Sequence, residues 1–328
     1  MNSVVSQFLT SLRLGEPQVQ RNMRVIPLYS SVKHSPEYLT LGQALDQQVL
    51  KVTEASQAGS VPELKVISIA EKFILLLDGE ELAGAKQNRV LNTTILLQPH
   101  AEMLIPVSCT EQRRWAYASA EFAESGTVMA HTARRAKSDS VSQSLKQAQG
   151  YRSDQGRVWH EIDKLAAEAK VSSSTSAMHD VFVAKDQDLA EFSQVFELQP
   201  AQQGLLVLVN NEVAGFDILS SATAYQMLHP KLVKSYAMDA ITQPNVEKEM
   251  QFSSKAQDFL SSIANCTVQV YPSAGIGQDY RFESPTIVGS VLVAEEHVIH
   301  GAFFRVAEIN SSETITSASQ RRFFRQHS

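Results

Sequence analysis

The sequence predicts an α+β fold, with mainly antiparallel sheet contributed from both ends of the chain and a helical middle packed against it. Three observations predict this. Short runs rich in Val, Ile, Leu and Thr, broken by turn signals, fill residues 20–128. Apolar residues recur at intervals of three to five over 129–200, and residues 201–309 return to strand-like runs mixed with helical stripes. The 328 residues amount to roughly two domain lengths, but no Pro-, Gly- or Ser-rich linker divides them. The expected organisation is an N-terminal helix within 1–19, a single α+β domain over 20–309 and a tail over 310–328.

Each element follows from its pattern. MNSVVSQFLTSLRLG spaces Val5, Phe8, Leu9 and Leu12 at helical intervals with no basic residue before them, so it reads as an amphipathic helix and not as an export signal. Gly15–Pro17 breaks it. RVIPLYSS, LKVISIA, FILLLDGEELAGAKQNR, VLNTTILL and AEMLIPVSC are then strand candidates. Met129, Ala133, Ala136, Val141, Leu145 and Ala148 form a helical stripe ending before Gly150. Val158, Ile162, Leu165, Ala166 and Ala169 form a second, capped by Ser153 or Asp154. SSSTS at 172–176 is a loop, and Asp186 opens a helix carrying Leu189, Phe192 and Phe196.

GLLVLVNNEVAGFDIL reads as a hairpin. Tyr225, Leu228, Leu232, Tyr236 and Ala240 lie on one stripe, where Pro230 is expected to kink the helix and begin a new turn. A further stripe of Ala256, Phe259, Leu260 and Ile263 stops near Asn265, and CTVQVYPS, PTIVGSVLVA and HVIHGAFFRV follow as strands. In the tail, RRFFRQHS reads as a terminal helix docking Phe323 and Phe324 in preference to a nucleic-acid contact. ILLLDGEELAGAK at 74–86, LVLVNNEVAGFD at 206–217 and VLVAEEHVIHGAF at 291–303 share one pattern: an apolar run, a polar turn, then Gly and a departing strand. Either one hairpin is used three times or the likeness is what any α+β chain of this size contains. Asp78-Gly79 and Asn210-Asn211 suit two-residue type I′ turns.

Composition narrows the function classes. A net charge of −6 argues against nucleic acid or an anionic membrane as partner. Two cysteines, Cys109 and Cys266, exclude a disulfide scaffold and a four-cysteine metal site, and a reducing cytoplasm is expected. No apolar run approaches the ~20 residues of a membrane span. HExxH, CxxC, a GK[ST] loop and GxSxG are missing. His297 and His300 should face opposite sides of a strand, unsuited to a shared metal, so no metal set, cofactor or oligomeric state is assigned.

The densest polar cluster falls on strand-like sequence: Asp78, Glu80, Glu81, Lys86, Gln87, Asn88, Arg89 and Asn92. Alternation would send Lys86 and Asn88 one way and Gln87 and Arg89 the other, with Glu81 able to approach Lys86 across a hairpin. The cluster is either an exposed sheet edge kept soluble by charge or a pocket in which a carboxylate handles a proton while cations hold an anion. PVSCTEQRRW at 106–115 adds Cys109, Glu111 and Arg114. Cys109 and Arg114 have the C-x4-R spacing of rhodanese-like loops, but no glycine supplies the anion cradle, so a buried, inert thiol is favoured over a nucleophile. Arg114 is the better candidate, as an anion contact with Trp115 packed beneath it. GIGQDYR contains Gly-x-Gly before a strand, with Asp279 and Arg281 able to reach a ligand.

LDGEELAGAKQNRVLNTTILL, IPVSCTEQRRW, GRVWHEID, VNNEVAGFDILSS and HPKLVKSYAMDA, in that order, resemble the bacterial ARG and rhodanese-phosphatase superfamily associated protein domain over about residues 20–305. The resemblance implies a cytoplasmic domain of uncharacterised activity, associated with other protein families that include ADP-ribose chemistry. It does not imply rhodanese or phosphatase activity. Its pattern falls on Glu80, Glu81, Lys86, Gln87, Asn88, Arg89, Asn92, Cys109, Glu111, Arg114 and Trp115, then on Asp217, Pro230, Ser235 and Tyr236. Where the pattern has Gly before Arg-Trp, this chain has Arg113.

Two function hypotheses result. In the first, a polar pocket takes a small anionic, phosphorylated or nucleotide-like ligand. Lys86, Arg89 and Arg114 hold the anion, Gln87, Asn88 and Asn92 orient it, and Glu81, Glu111 or Cys109 do the chemistry. In the second, the same strands form a non-catalytic ligand-sensing or protein-contact surface.

Overall fold

The computed structural model describes residues 3–32, 36–56, 60–244 and 252–306. The tail expected at 310–328 lies outside them. Helix α1 (Ser3–Ser11) leads through β1 (Leu12–Leu14) and β2 (Gln18–Gln20) into β3 (Met23–Ser30). Next come β4 (Tyr38–Thr40), α2 (Leu41–Asp46), β5 (Leu50–Glu54), β6 (Glu63–Ser68), β7 (Phe73–Leu76) and β8 (Glu80–Gly84). They are followed by β9 (Arg89–Leu91), β10 (Ile95–Leu97), β11 (Glu102–Cys109) and β12 (Phe122–Val128). The helical middle holds α3 (His131–Lys146), α4 (Gln155–Glu168), α5 (Met178–Ala184) and α6 (Asp186–Val195). The last third runs β13 (Gly204–Val209), β14 (Glu212–Leu219), α7 (Ala222–Thr242), α8 (Phe252–Ser262), β15 (Thr267–Pro272), β16 (Gln278–Glu283), β17 (Ile287–Ala294) and β18 (His297–Arg305).

The fold is α+β as expected. Among the described residues a 9-stranded sheet runs β1-β3-β13-β14-β18-β17-β16-β15, with β2 on β3. A 6-stranded sheet runs β12-β8-β9-β11-β6-β5, and a 3-stranded one runs β10-β7-β4. Pairing is antiparallel apart from β4 on β7. The two ends of the chain meet in the large sheet, where β3 pairs with β13 through Leu28↔Gly204 to Met23↔Val209.

Both faces of that sheet are covered, which explains why GLLVLV is apolar without alternation and buried throughout. Val5 and Phe8 of α1 and Ala256 and Phe259 of α8 pack on one face with Leu206, Leu208, Phe216 and Phe303. Leu205, Val207, Leu219 and Phe304 face a core shared with helices α3 to α7. A separate core, including Leu64, Ile74, Leu82, Leu91 and Ile105, fills the N-terminal strands. No helix among the described residues is long and apolar enough to cross a membrane.

Four expectations need correction. The first helix stops at Ser11, because Leu12–Leu14 are drawn into β1 by pairing with Leu28–Ser30. Helix α7 runs through Pro230 without a break. The ring removes one backbone donor, but buried Leu228, Leu232 and Val233 on either side keep that stretch packed. The repeated-hairpin pattern holds only twice. Asn210 and Asn211 have φ of 50° and 63°, and Glu295 and Glu296 have 49° and 62°, as type I′ turns require. Each of these hairpins, β13–β14 and β17–β18, has a register shift close to its turn. At Asp78-Gly79 only the glycine has positive φ, 83°. There Glu80 N–H closes a turn on the Leu77 carbonyl at 3.1 Å. The flanking strands then diverge, β7 to β10 and β4, and β8 to β9 and β12. The fourth correction concerns the polar cluster and is taken up with the site.

A buried ionic network ties the helical middle to both large sheets. On α3, Arg134 donates to Asp217 of β14 at 2.7 and 3.1 Å, and Lys137 pairs with Asp78 and donates to the Leu91 and Asn92 carbonyls at 2.9 and 3.1 Å. Tyr236 Oη donates to Asp217 at 2.8 Å, and His300 joins Asp217 at 3.3 Å and Thr94 at 2.8 Å. Burial pushes the Asp217 carboxyl up, but Arg134 and His300 outweigh it and hold the group well below the usual carboxylate range.

Candidate functional site

The polar cluster is not an exposed edge. β8 and β9 lie inside the six-stranded sheet, and Glu80, Glu81, Lys86, Gln87, Asn88, Arg89 and Asn92 are all buried. Register divides them between two faces. Arg89 pairs with Leu82 and Cys109, while Val90 pairs with Glu81 and Ser108. Cross-strand partners share a face, so Arg89 and Cys109 lie on one side and Glu81 and Ser108 on the other. That separation was legible from alternation.

The finer alternation at 86–89 fails, because 85–88 is a turn with Ala85 at φ 39° and β9 begins only at Arg89. Lys86 consequently joins Arg89: their cationic groups lie 5.3 and 5.9 Å from the Trp115 ring centroid. Lys86 also lies 5.2 Å from the Tyr117 ring. Nor does Glu81 reach across to Lys86. Its Oε1 accepts from Thr110 Oγ1 at 2.6 Å, and its Oε2 lies 3.6 Å from His179 Nδ1.

Arg89 is the centre of the first face. Its side chain is 0% exposed, and Nη1 donates to Gln87 Oε1 at 3.2 Å. Nε and Nη2 are buried without a hydrogen-bond partner, and the facing carboxylate, Glu54, lies 3.9 Å from Nη2. A desolvated guanidinium with open donors is costly unless something accepts from it. Cys109 Sγ donates to the same Gln87 oxygen at 3.1 Å. Burial pushes the Cys109 thiol up to about 11, further than Arg89 can draw it back, so at neutral pH it is a thiol and not a thiolate nucleophile.

The irregular stretch after β11 brings Trp115 and Tyr117 against these cations. Both aromatics remain half exposed, at 50% and 55%. Arg114 anchors this stretch. It binds Glu111 at 2.6 and 2.8 Å, the Ala85 and Ala116 carbonyls at 2.7 and 2.9 Å, and Asn88 Oδ1 at 3.1 Å. Burial pushes the Glu111 carboxyl up, but Arg114 and the Asn88 backbone N–H hold it below the usual carboxylate range. Arg113 N–H donates to the Thr175 carbonyl at 3.0 Å, tying this stretch to the loop before α5.

On the second face Asn92 is structural in its contacts: its amide donates to the Tyr151 carbonyl at 2.9 Å and accepts from Ser108 at 2.6 Å. Glu81 is fully buried, with Oε2 unpartnered by hydrogen-bond geometry. The facing carboxylate holds the His179 imidazole above its ordinary range. Asp279 and Arg281 are buried against each other and Thr93, at 2.6 and 2.8 Å from Arg281 Nη2. Glu54 and His179 were missed from the sequence. Each is an isolated titratable residue more than 20 positions from the strands it meets, and only tertiary pairing brings it there.

The family model described as ARG and Rhodanese-Phosphatase-superfamily-associated Protein domain matches residues 11–304. Comparison with curated proteins and with solved structures returned no match for this chain.

Proposed function

The chain belongs to the ARG and Rhodanese-Phosphatase-superfamily-associated Protein domain family, and from that premise we propose that it is a cytoplasmic protein binding a small anionic, phosphorylated or nucleotide-like ligand at Arg89. The observation that carries this reading is the fully buried guanidinium with two open donors, Nε and Nη2. A phosphoryl oxygen pair matches that donor fork. Lys86 adds charge, Gln87 fixes the geometry through Arg89 Nη1, and the half-exposed rings of Trp115 and Tyr117 lie against Lys86. Arg114, Glu111 and Asn88 serve by holding the covering stretch in place. Because Arg89 has no exposed surface, ligand entry requires that stretch to lift.

The alternative of a binding or sensing module is favoured over turnover by the state of the reactive groups. Cys109 is protonated, Glu111 is engaged by Arg114, and Glu81 lies on the opposite face from Arg89. The test is thermal-shift screening of inorganic phosphate, nucleotides, ADP-ribose and sugar phosphates against the wild type and Arg89→Ala. Stabilisation by a phosphorylated ligand that vanishes in Arg89→Ala supports the reading. No stabilisation at millimolar ligand, or stabilisation retained without Arg89, defeats it.

A further inference from the structure

The site at Arg89 contains a carboxylate of its own. Register places it there: Arg89 pairs with Cys109, Ile105 with Leu64 and Leu64 with Glu54, and Cys109 and Ile105 lie four apart on β11. Glu54 and Arg89 therefore share one face of the six-stranded sheet. The sheet curls, since Lys51 of β5 pairs at 2.5 Å with Glu121, which directly precedes the opposite edge strand β12. Side chains three strands apart converge as a result, and Glu54 Oε1 lies 3.9 Å from Arg89 Nη2. Glu111, the other carboxylate beside this stretch, is already engaged by Arg114 at 2.6 Å and by the Asn88 N–H at 3.3 Å.

The Glu54 side chain is 4% exposed. Oε1 accepts the Lys86 backbone N–H at 3.3 Å, whereas Oε2 is buried without a hydrogen-bond partner. Two donors and one acceptor are thus left open in one desolvated place: Nε and Nη2 of Arg89, and Oε2 of Glu54. The pair does not satisfy itself, because 3.9 Å exceeds hydrogen-bond length. An anion that offers only acceptors would satisfy Arg89 and set its lone pairs against Glu54, at a cost. One that also carries an O–H satisfies all three atoms. Arg89 and Lys86, both over the Trp115 ring, outnumber Glu54, so the site still admits negative charge.

We infer that Glu54 sets the ligand class: the site takes a tetrahedral oxyanion that keeps an acidic proton, as free hydrogen phosphate or a monoprotonated phosphoryl group, and rejects sulfate and phosphodiesters, which have none. The anion accepts from Arg89 Nε and Nη2 and donates its P–OH to Glu54 Oε2. This rests on the reading of Arg89 as the anion contact and narrows it. Glu54 acts as a specificity residue by penalising ligands that lack the donor.

The test titrates the full chain by calorimetry at pH 7.5 with inorganic phosphate, which retains a P–OH, and with sulfate. Phosphate is expected to bind at least about tenfold more tightly, the worth of a hydrogen bond to a charged acceptor. Glu54→Gln keeps the side-chain size and supplies an amide that donates as well as accepts, so sulfate binding should rise and the preference fall to about twofold or less. Arg89→Ala should abolish binding of both. If Glu54→Gln does not fold by circular dichroism, the wild-type comparison decides. Ribose 5-phosphate separates the two sources, since a phosphomonoester loses its second proton at about pH 6. Binding at pH 5.5 that weakens at pH 7.5 extends the site to monoesters, and no binding at either pH restricts it to the free ion; both outcomes keep the proton requirement. Equal affinity for phosphate and sulfate, lost for each in Arg89→Ala, overturns this inference and leaves the Arg89 reading standing. No binding of either anion at millimolar concentration, the result expected if a buried water alone bridges the three atoms, overturns both.

Discussion

Replacing Arg134 with Met removes one partner from the buried network while keeping much of the side-chain volume. In the wild type, Asp217 is fully buried and accepts from Arg134 through both oxygens. Stripping one partner from such a pair costs about 3–5 kcal/mol, because the remaining charge is left buried. Tyr236 at 2.8 Å and His300 at 3.3 Å still serve Asp217, and Lys137 still serves Asp78, which places the loss near the lower bound, about 3 kcal/mol. For a chain of this size that corresponds to a melting temperature roughly 4–5 °C lower at pH 7. Differential scanning calorimetry, checked against far-ultraviolet circular dichroism, measures it. The pH dependence has a definite sign. Asp217 is held below its unfolded value, so its stabilising share is present above about pH 4 and fades as pH falls. The gap between wild type and variant should accordingly narrow below about pH 4. Adding Asp217→Leu to Arg134→Met should recover part of the loss, since apolar replacement of a whole buried pair is often neutral. A melting temperature unchanged at pH 7, or a gap that widens in acid, would refute the reasoning.

Cys109, with its thiol pushed up to about 11, should resist a disulfide reagent in the native protein at pH 7.5 and react only on unfolding; rapid native labelling at this residue would contradict that state. Glu295→Asn with Glu296→Gly places turn-compatible residues at φ 49° and 62° and should raise stability by about 1 kcal/mol, read as a melting temperature roughly 2 °C higher. Glu111 is held below the usual carboxylate range, so its grip on Arg114 is present above about pH 4.3 and is lost in more acidic solution. In a Trp159→Phe background, Trp115 emission should change as pH falls through that region, and Glu111→Gln should show the acid-type emission already at pH 7.

Much of the fold was readable because it rests on local period. The stripe of Val158, Ile162 and Leu165 became α4, capped by Asp154 accepting Arg157 N–H at 3.0 Å. Asn210-Asn211 specified its turn by backbone preference alone. Asp78-Gly79 misled because turn chemistry fixes the corner and not the strand that comes next; pairing of β7 with β10 decided that. At the candidate site, residue types were legible but their partners were not. Arg114 looked like an anion contact, whereas Glu111, Asn88 and backbone carbonyls occupy its donors. Arg89 owes its open donors to residues far along the chain that stop short of it, a circumstance no spacing rule records.

The pairing of β3 with β13 also bears on how the protein is made. β3 is finished at Ser30, yet the strand that covers its inner edge begins only at Gly204. At about 5–20 residues per second, a ribosome takes roughly 10–35 s to supply it. During that interval an apolar strand, VIPL at its centre, waits with its hydrogen-bonding edge uncovered while the six-stranded sheet is already complete in sequence. Newly made chains are thus expected to lean on a holding chaperone until residue 209 has cleared the exit tunnel.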